Sequence, residues 1–337
     1  MGRRNYMIRS VGFAIVTLAL VIVFNFLLFR IMPGDPISIL IHNPRMTRES
    51  RERIREDFGL DKPVWLDVER LKAGDVGGAF DTQFTAYVRN LSRGNLGVSF
   101  HTRRDVAELL RERVGRTVML LLGGEVVAAV FGIAFGLLAA WRRGSWLDTT
   151  ILLWALFSWA LPTFFLGIIL LLLARGHLPM GGVVTPGLTP KDGLVYYLDV
   201  GKHLVLPTVT EAVVVTGQYI LIMRSSVMEV LSEDYIMAAK AKGLNTLQIM
   251  RDHALKNAML PMVTIFALTL GIMVGGAIQV ETVFSWPGIG RLMFEAVSKR
   301  DYPVLQGAFL LLAVSVVLAN LVADLLYSVL DPRVQDK

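Results

Sequence analysis

The sequence predicts an all-α, polytopic membrane protein with six transmembrane helices and a small extracytoplasmic region after the first. Three observations carry that prediction. Of the 337 residues, 54% are hydrophobic, and they are gathered into long runs instead of being dispersed as in a soluble domain. Six of these runs reach the ~20 residues that a helix needs to cross a hydrocarbon core of about 30 Å. Basic residues flank the runs and form no stripe with interleaved aromatics, so the net charge of +6 reads as membrane topology and not as a nucleic-acid footprint. The chain has no cysteine, which excludes disulfides and thiolate metal sites. Its five histidines are scattered without ligand spacing, so no metal is expected.

The first run, Val11 to Ile31, is interrupted only by Asn25 and Arg30. The basic lead Gly2-Arg3-Arg4 imitates a signal peptide, yet the apolar part exceeds a signal core and no small-x-small cleavage site follows, so residues 1–32 are read as an uncleaved first helix. Pro33-Gly34-Asp35-Pro36 ends it, because proline withholds a backbone donor and restricts the residue before it. Residues 33–113 form the polar extracytoplasmic region. Within it, Thr47 to Phe58 has helical spacing, with Ile54 and Phe58 on one face and arginines alternating with Glu49, Glu52 and Glu56, while Gly74 to Gly78 reads as a loop.

Residues 114–331 carry the remaining apolar runs, Thr117 to Trp141, Thr149 to Ala174, Leu204 to Val230, Ala258 to Phe284 and Val304 to Leu330, with 332–337 as a C-terminal tail. Glycine and proline inside them, at Gly123-Gly124, Gly132, Gly136, Pro162, Gly167, Gly271 and Gly275-Gly276, suit closely packed membrane helices. Arg142, Arg143, Lys240, Lys242, Arg251 and Lys256 fall on one side of the spans and fewer basic residues on the other. The expected orientation therefore has both termini cytoplasmic, against the contrary vote of Arg111, Arg113 and Arg116.

Between the fourth and fifth spans lies the most informative stretch, residues 232–257. Asp234 is placed to cap a short helix, Ala238 and Ala239 give it a face that another surface can approach, and Gly243 supplies its stop. Asn245 and Gln248 then form a capping-box pair opening a second short helix through Lys256. Two short helices between membrane spans make a rigid knob.

This loop resembles the coupling loop of permease subunits in ATP-binding-cassette importers, whose signature is Ala-Ala, three residues, then Gly; Ala238, Ala239 and Gly243 match it. Residues Arg251 to Pro261, Glu281-Thr282-Val283-Phe284-Ser285-Trp286-Pro287-Gly288-Ile289-Gly290, Arg300-Asp301-Tyr302-Pro303 and Asp331-Pro332-Arg333 are similar to the dipeptide, oligopeptide and nickel permease branch. So are Pro33-Gly34-Asp35-Pro36 and Gly94-Asn95-Leu96-Gly97-Val98-Ser99. Two departures stand out: Met237 replaces the acidic residue of the signature, and Lys72 to Thr85 lengthens the outer loop.

The resemblance implies a type I importer permease fold and assigns ATPase coupling to Glu233, Asp234, Ala238, Ala239 and Gly243, with Leu244, Leu247 and Met250 packing the knob. It implies a second homologous permease, one or two ATPase subunits carrying ATP and Mg, an extracytoplasmic solute-binding protein and the lipid bilayer of the cell membrane as partners. This chain itself shows no Gly-x-x-x-x-Gly-Lys-Ser/Thr phosphate loop, so it is expected to hold no cofactor and catalyse nothing. The cargo expected is a dipeptide or oligopeptide, with a nickel chelate or another small solute as the alternative.

Acidic residues in apolar runs are expensive and mark function or an internal partner. Glu125 and Glu211 are candidates for the substrate path. Glu211 would meet a basic peptide terminus, or instead pair with Arg224 or the second permease. Asn320 and Asp324, one turn apart, suit interhelical hydrogen bonding. Two rival classes lack their features: a secondary transporter should show internal repeats and broken helices around an ion site, and an intramembrane protease a catalytic pair or His-Glu-x-x-His.

Overall fold

A computed structural model describes residues 3–31, 49, 62–273 and 277–330. In chain order its helices are α1 (Arg3–Ile31), α2 (Val68–Lys72), α3 (Val76–Ala79), α4 (Gln83–Ser92), α5 (Val106–Trp141), α6 (Trp146–Ala160), α7 (Thr163–Leu173), α8 (Leu194–Leu231), α9 (Asp234–Ala241), α10 (Thr246–Ile249), α11 (Leu255–Met273), α12 (Ile278–Val283), α13 (Ile289–Lys299) and α14 (Tyr302–Leu330). The chain forms two compact units, Met1–Val114 with Leu292–Lys337, and Gly115–Arg291. The expected helix at Thr47 to Phe58, the Pro33 to Pro36 stop, Gly275-Gly276 and the Asp331-Pro332-Arg333 end lie outside the described residues, as does the side chain of Asp324.

In the first unit α1 packs along α14. Asn25 is buried there, and its amide donates to the Tyr87 hydroxyl at 3.0 Å and the Gln306 carbonyl at 3.3 Å, which satisfies a polar group inside an apolar helix. From residue 62 to residue 92 the chain folds into short capped helices. Asp67 caps α2 by accepting from Glu69 and Arg70 N–H, and Thr82 and Thr85 form a reciprocal capping box at α4. Lys62 donates to Asp81 at 2.7 Å and holds its carboxyl below the ordinary 3.8. That pair therefore adds stability above about pH 4 and loses it as the pH falls below its lowered value.

In the second unit α5 and α8 run parallel at very short range. A Cβ built on Gly124 would sit 2.9 Å from Glu211 Cβ, and one on Gly136 2.7 Å from Met223 Cβ, while one on Gly132 would overlap Tyr219 Cβ. Each pair is separated by the same number of residues, so the helices advance in step. Gly124, Ala128, Gly132, Gly136 and Ala140 recur every four residues and give α5 a smooth stripe, against which the backbone of α8 can lie.

Four helices among the described residues are long and apolar enough to cross a membrane, covering Met7–Arg30, Val106–Trp141, Leu194–Leu231 and Tyr302–Val322. The pair α6 and α7 makes a fifth if read as one span, bent by 100°. Pro162, one of the residues inside the apolar runs that suit a kink, here breaks its run into two helices. Pro162 forces Leu161 out of the helical region, to ψ 127°, and the chain turns before α7 begins. The run Ala258 to Phe284 is also not one helix, since Ala277 leaves the helical region, at φ −100° and ψ 84°, before the separate α12. Helix α5 starts at Val106 instead of Thr117, because Asp105 accepts from Glu108 N–H and Arg104 bridges Glu108 and Glu112 across its first turns.

Candidate functional site

The stretch between α8 and α11 folds as a knob whose shape follows from its sequence. Helix α9 ends in a Schellman motif: Gly243 N–H donates to Lys240 C=O at 2.9 Å, and Leu244 N–H to Ala239 C=O at 3.3 Å. Gly243 sits at φ +82°, where a side chain is strained, and Leu244 folds back onto the buried cluster of Ile236, Ala239 and Ile249. The spacing Ala-Ala-x-x-x-Gly thus has a local cause. Ala239 offers the carbonyl and the small side chain that the returning Leu244 needs, and Gly243 turns the chain. Asn245 and Gln248 then exchange two hydrogen bonds of 2.9 Å, the expected capping box.

Other expectations for the knob need correction. The N-cap of α9 is Glu233, whose side chain makes no capping bond, and Asp234 is instead the first helical residue, where its charge favours the positive helix end. The second helix does not stop at Lys256: α10 passes through a π-turn, Met250–Ala254, straight into α11. Of the two alanines only Ala238 is exposed, since Ala239 is 6% exposed beneath Leu244. Leu247 does not pack the knob; it is 58% exposed, beside Tyr235 and Met237 among the exposed apolar residues of the loop, Met237 at 69%.

The knob is anchored to the bundle at two points. Met250 is buried in a cluster with Tyr219, Met223 and Val227 of α8, Ala254 at the end of the π-turn, and Ala258 and Met262 of α11. Tyr235, in the first turn of α9, accepts from Asn257 of α11 at 2.7 Å. Sequence reasoning missed this pair, because nothing in the spacing of the two residues announces that the chain doubles back.

The two acidic candidates lie along the α5 and α8 contact. Glu125 is buried and accepts from the Tyr219 hydroxyl, while Glu211 is half-buried with its stem against Gly124. Arg224 does not pair with Glu211. It makes a two-pronged bridge to Asp148, at 2.7 and 2.9 Å, and Gly144 N–H donates to the same carboxylate.

Two of the other motif stretches prove to be carboxylate-centred joints. In the second unit Glu281 is fully buried, accepting from the Thr117 hydroxyl and from Arg291 N–H, each at 2.8 Å, while Thr117 in turn accepts from Ile289 N–H. The adjoining Trp286 is buried and donates to Arg116 C=O at 3.0 Å. A Cβ on Gly288 would overlap both the Glu281 carboxylate and Thr117, so that turn must be glycine. Glu281→Gln supplies a donor where two donors already point. It is expected to lower stability by about 1–3 kcal/mol, seen as an earlier thermal transition of the detergent-purified protein.

In the first unit Asp301 joins the Gly94 to Ser99 stretch to the Arg300 to Pro303 stretch. It accepts from the Ser99 hydroxyl at 2.5 Å and from Phe100 and His101 N–H at 3.0 and 3.2 Å. Asp301→Asn should loosen that joint, read as faster proteolysis around residues 99–104 with α14 still intact.

Residues 132–336 match the family model of binding-protein-dependent transport system inner membrane components, and residues 3–121 match the model for the N-terminal part of such membrane components. The chain is 34% identical over 347 aligned positions to a di/tripeptide transport system permease protein of Pseudomonas aeruginosa, covering 98% of each. It is 34% identical to the dipeptide transport system permease protein of Escherichia coli K12, covering 99% of each, and 35% identical to a glutathione transport system permease protein of Escherichia coli O6:H1, again 99% of each. The chain therefore belongs to the binding-protein-dependent transport system inner membrane component family, as a multi-pass membrane protein.

Proposed function

We propose that the chain is one of two permease subunits of an ATP-binding-cassette importer for short peptides. The observation that carries this reading is similarity along nearly the whole chain to permeases named for dipeptide, di/tripeptide and glutathione transport. ATP and Mg belong to one or two separate ATPase subunits, and an extracytoplasmic binding protein delivers the solute.

Six spans, with both termini cytoplasmic, fit this reading. Because α5 and α8 run parallel, the chain between them has to cross the membrane an odd number of times, which supports counting bent α6 and α7 as one span and not as a re-entrant loop. The knob then lies on the cytoplasmic side. Its exposed Tyr235, Met237, Ala238 and Leu247 are the surface offered to an ATPase, and buried Met250 passes the motion into α8 and α11. ATPase closure biases the bundle between two packings by binding them unequally. Since Tyr219 already engages Glu125, the more open Glu211 is the group to meet a peptide ammonium in the path.

Reconstitution of the complete complex tests the proposal. Uptake of labelled dipeptide into proteoliposomes should need ATP, the ATPases and the binding protein together. Uptake by this chain with no ATPase present would contradict it and favour a stand-alone transporter.

A further inference from the structure

We propose that residues 64–80 form an interfacial anchor, lying in the lipid headgroup boundary at the C-terminal end of α1, where Trp65 packs against Phe26 of that helix. The inference rests on the reading of α1 as a membrane span and extends it to the segment that packs on the end of that helix.

Depth is set by the aromatic packing. The apolar run ending at Ile31 fills a hydrocarbon core of about 30 Å, so Phe26 sits roughly 7 Å inside its end. Around Phe26 close the rings of Trp65, Phe84 and Tyr87, at centroid distances of 5.4, 5.3 and 5.5 Å. The polypeptide carrying Trp65 therefore cannot stand off in water; it is held at the level of the last turns of α1. Its fold is fixed there as well, because Gln83 N–H donates to Pro63 C=O at 2.9 Å and Phe84 N–H to Val64 C=O at 3.3 Å, while Asp67 N–H donates to Ala79 C=O at 3.0 Å.

At that depth the segment turns apolar side chains outward. Val68, Val76 and Phe80 are 52%, 59% and 55% exposed, and Leu66 and Leu71 are also exposed. On α2 Val68 and Leu71 are interspersed with exposed Glu69, Arg70 and Lys72, whose charges can lie among the headgroups. Trp65 occupies the position tryptophan favours, at the boundary. The exposed apolar surface is continuous in kind with the outward side chains of α1, such as Leu20 and Phe24.

The absence of native cysteine allows a direct test on the full chain in its complex. Single variants Val68→Cys, Val76→Cys and Phe80→Cys would carry an environment-sensitive fluorophore in liposomes, with Phe24→Cys as the lipid control and Arg93→Cys as the water control. Brominated lipids should quench the three anchor positions roughly twofold, like Phe24, with aqueous iodide quenching only Arg93. Quenching by iodide at positions 68, 76 and 80, or protection from both reagents as by covering protein, would overturn the anchor. Failure of brominated lipid to quench Phe24→Cys would instead sink the reading of α1 as a span.

Discussion

Gly132→Ala should cost about 2–4 kcal/mol and leave little folded protein, although it adds one methyl group. The new Cβ would overlap Tyr219 Cβ and lie 3.2 Å from Thr216 C=O, so backbone, and not a flexible side-chain end, stands in the way. Helices α5 and α8 would have to separate along the stripe from Gly124 to Gly136, and the contact of Glu125 with Tyr219 would go with it. A second glycine in the same bundle gives the contrast. Gly201 lies in α8 with nothing within 4 Å of an added Cβ, so Gly201→Ala should be neutral or gain a few tenths of a kcal/mol from helix propensity. Thermal unfolding of the two purified variants in one detergent checks the pair. Equal transitions would mean that α5 and α8 do not meet at this distance.

Gly243→Leu should insert and fold, yet lose about tenfold or more of ATP-driven uptake. Nothing lies within 4 Å of an added Cβ, so the change is not a clash. Its effect is conformational: φ +82° costs a branched side chain about 1–2 kcal/mol, and the chain can escape only by continuing α9 and pulling Leu244 off Ala239. The cluster of Ile236, Ala239 and Ile249 would open and the exposed Met237 and Leu247 would shift relative to Met250. ATP hydrolysis by the partner subunits should persist without proportional uptake. Normal uptake by this variant would remove Gly243 from the coupling assignment.

The knob was the most legible part of the sequence, because its signals are local. A capping box and a glycine stop each act within a few residues, so Asn245, Gln248 and Gly243 could be placed without a fold. That Ala239 is buried and Leu247 exposed is not legible, since which side of a short helix is buried depends on how Leu244 folds back. The apolar runs are visible as lengths and Pro162 as a place to kink, but neither the 100° size of that bend nor the break at Ala277 is, as hydropathy does not distinguish a straight span from a broken one. Long-range polar pairs were hidden throughout. Glu281 with Thr117, Asp301 with Ser99 and Arg224 with Asp148 join positions far apart in the chain, and only the packed structure brings them together.

The most direct test is cross-linking from a single cysteine at Met237, on the exposed face of α9. In the assembled complex, Met237→Cys should form a bifunctional cross-link to an ATPase subunit, with a yield that changes when nucleotide is added, and should resist an impermeant thiol reagent applied outside intact cells. Labelling of that cysteine from outside, with no ATPase captured, would contradict the account.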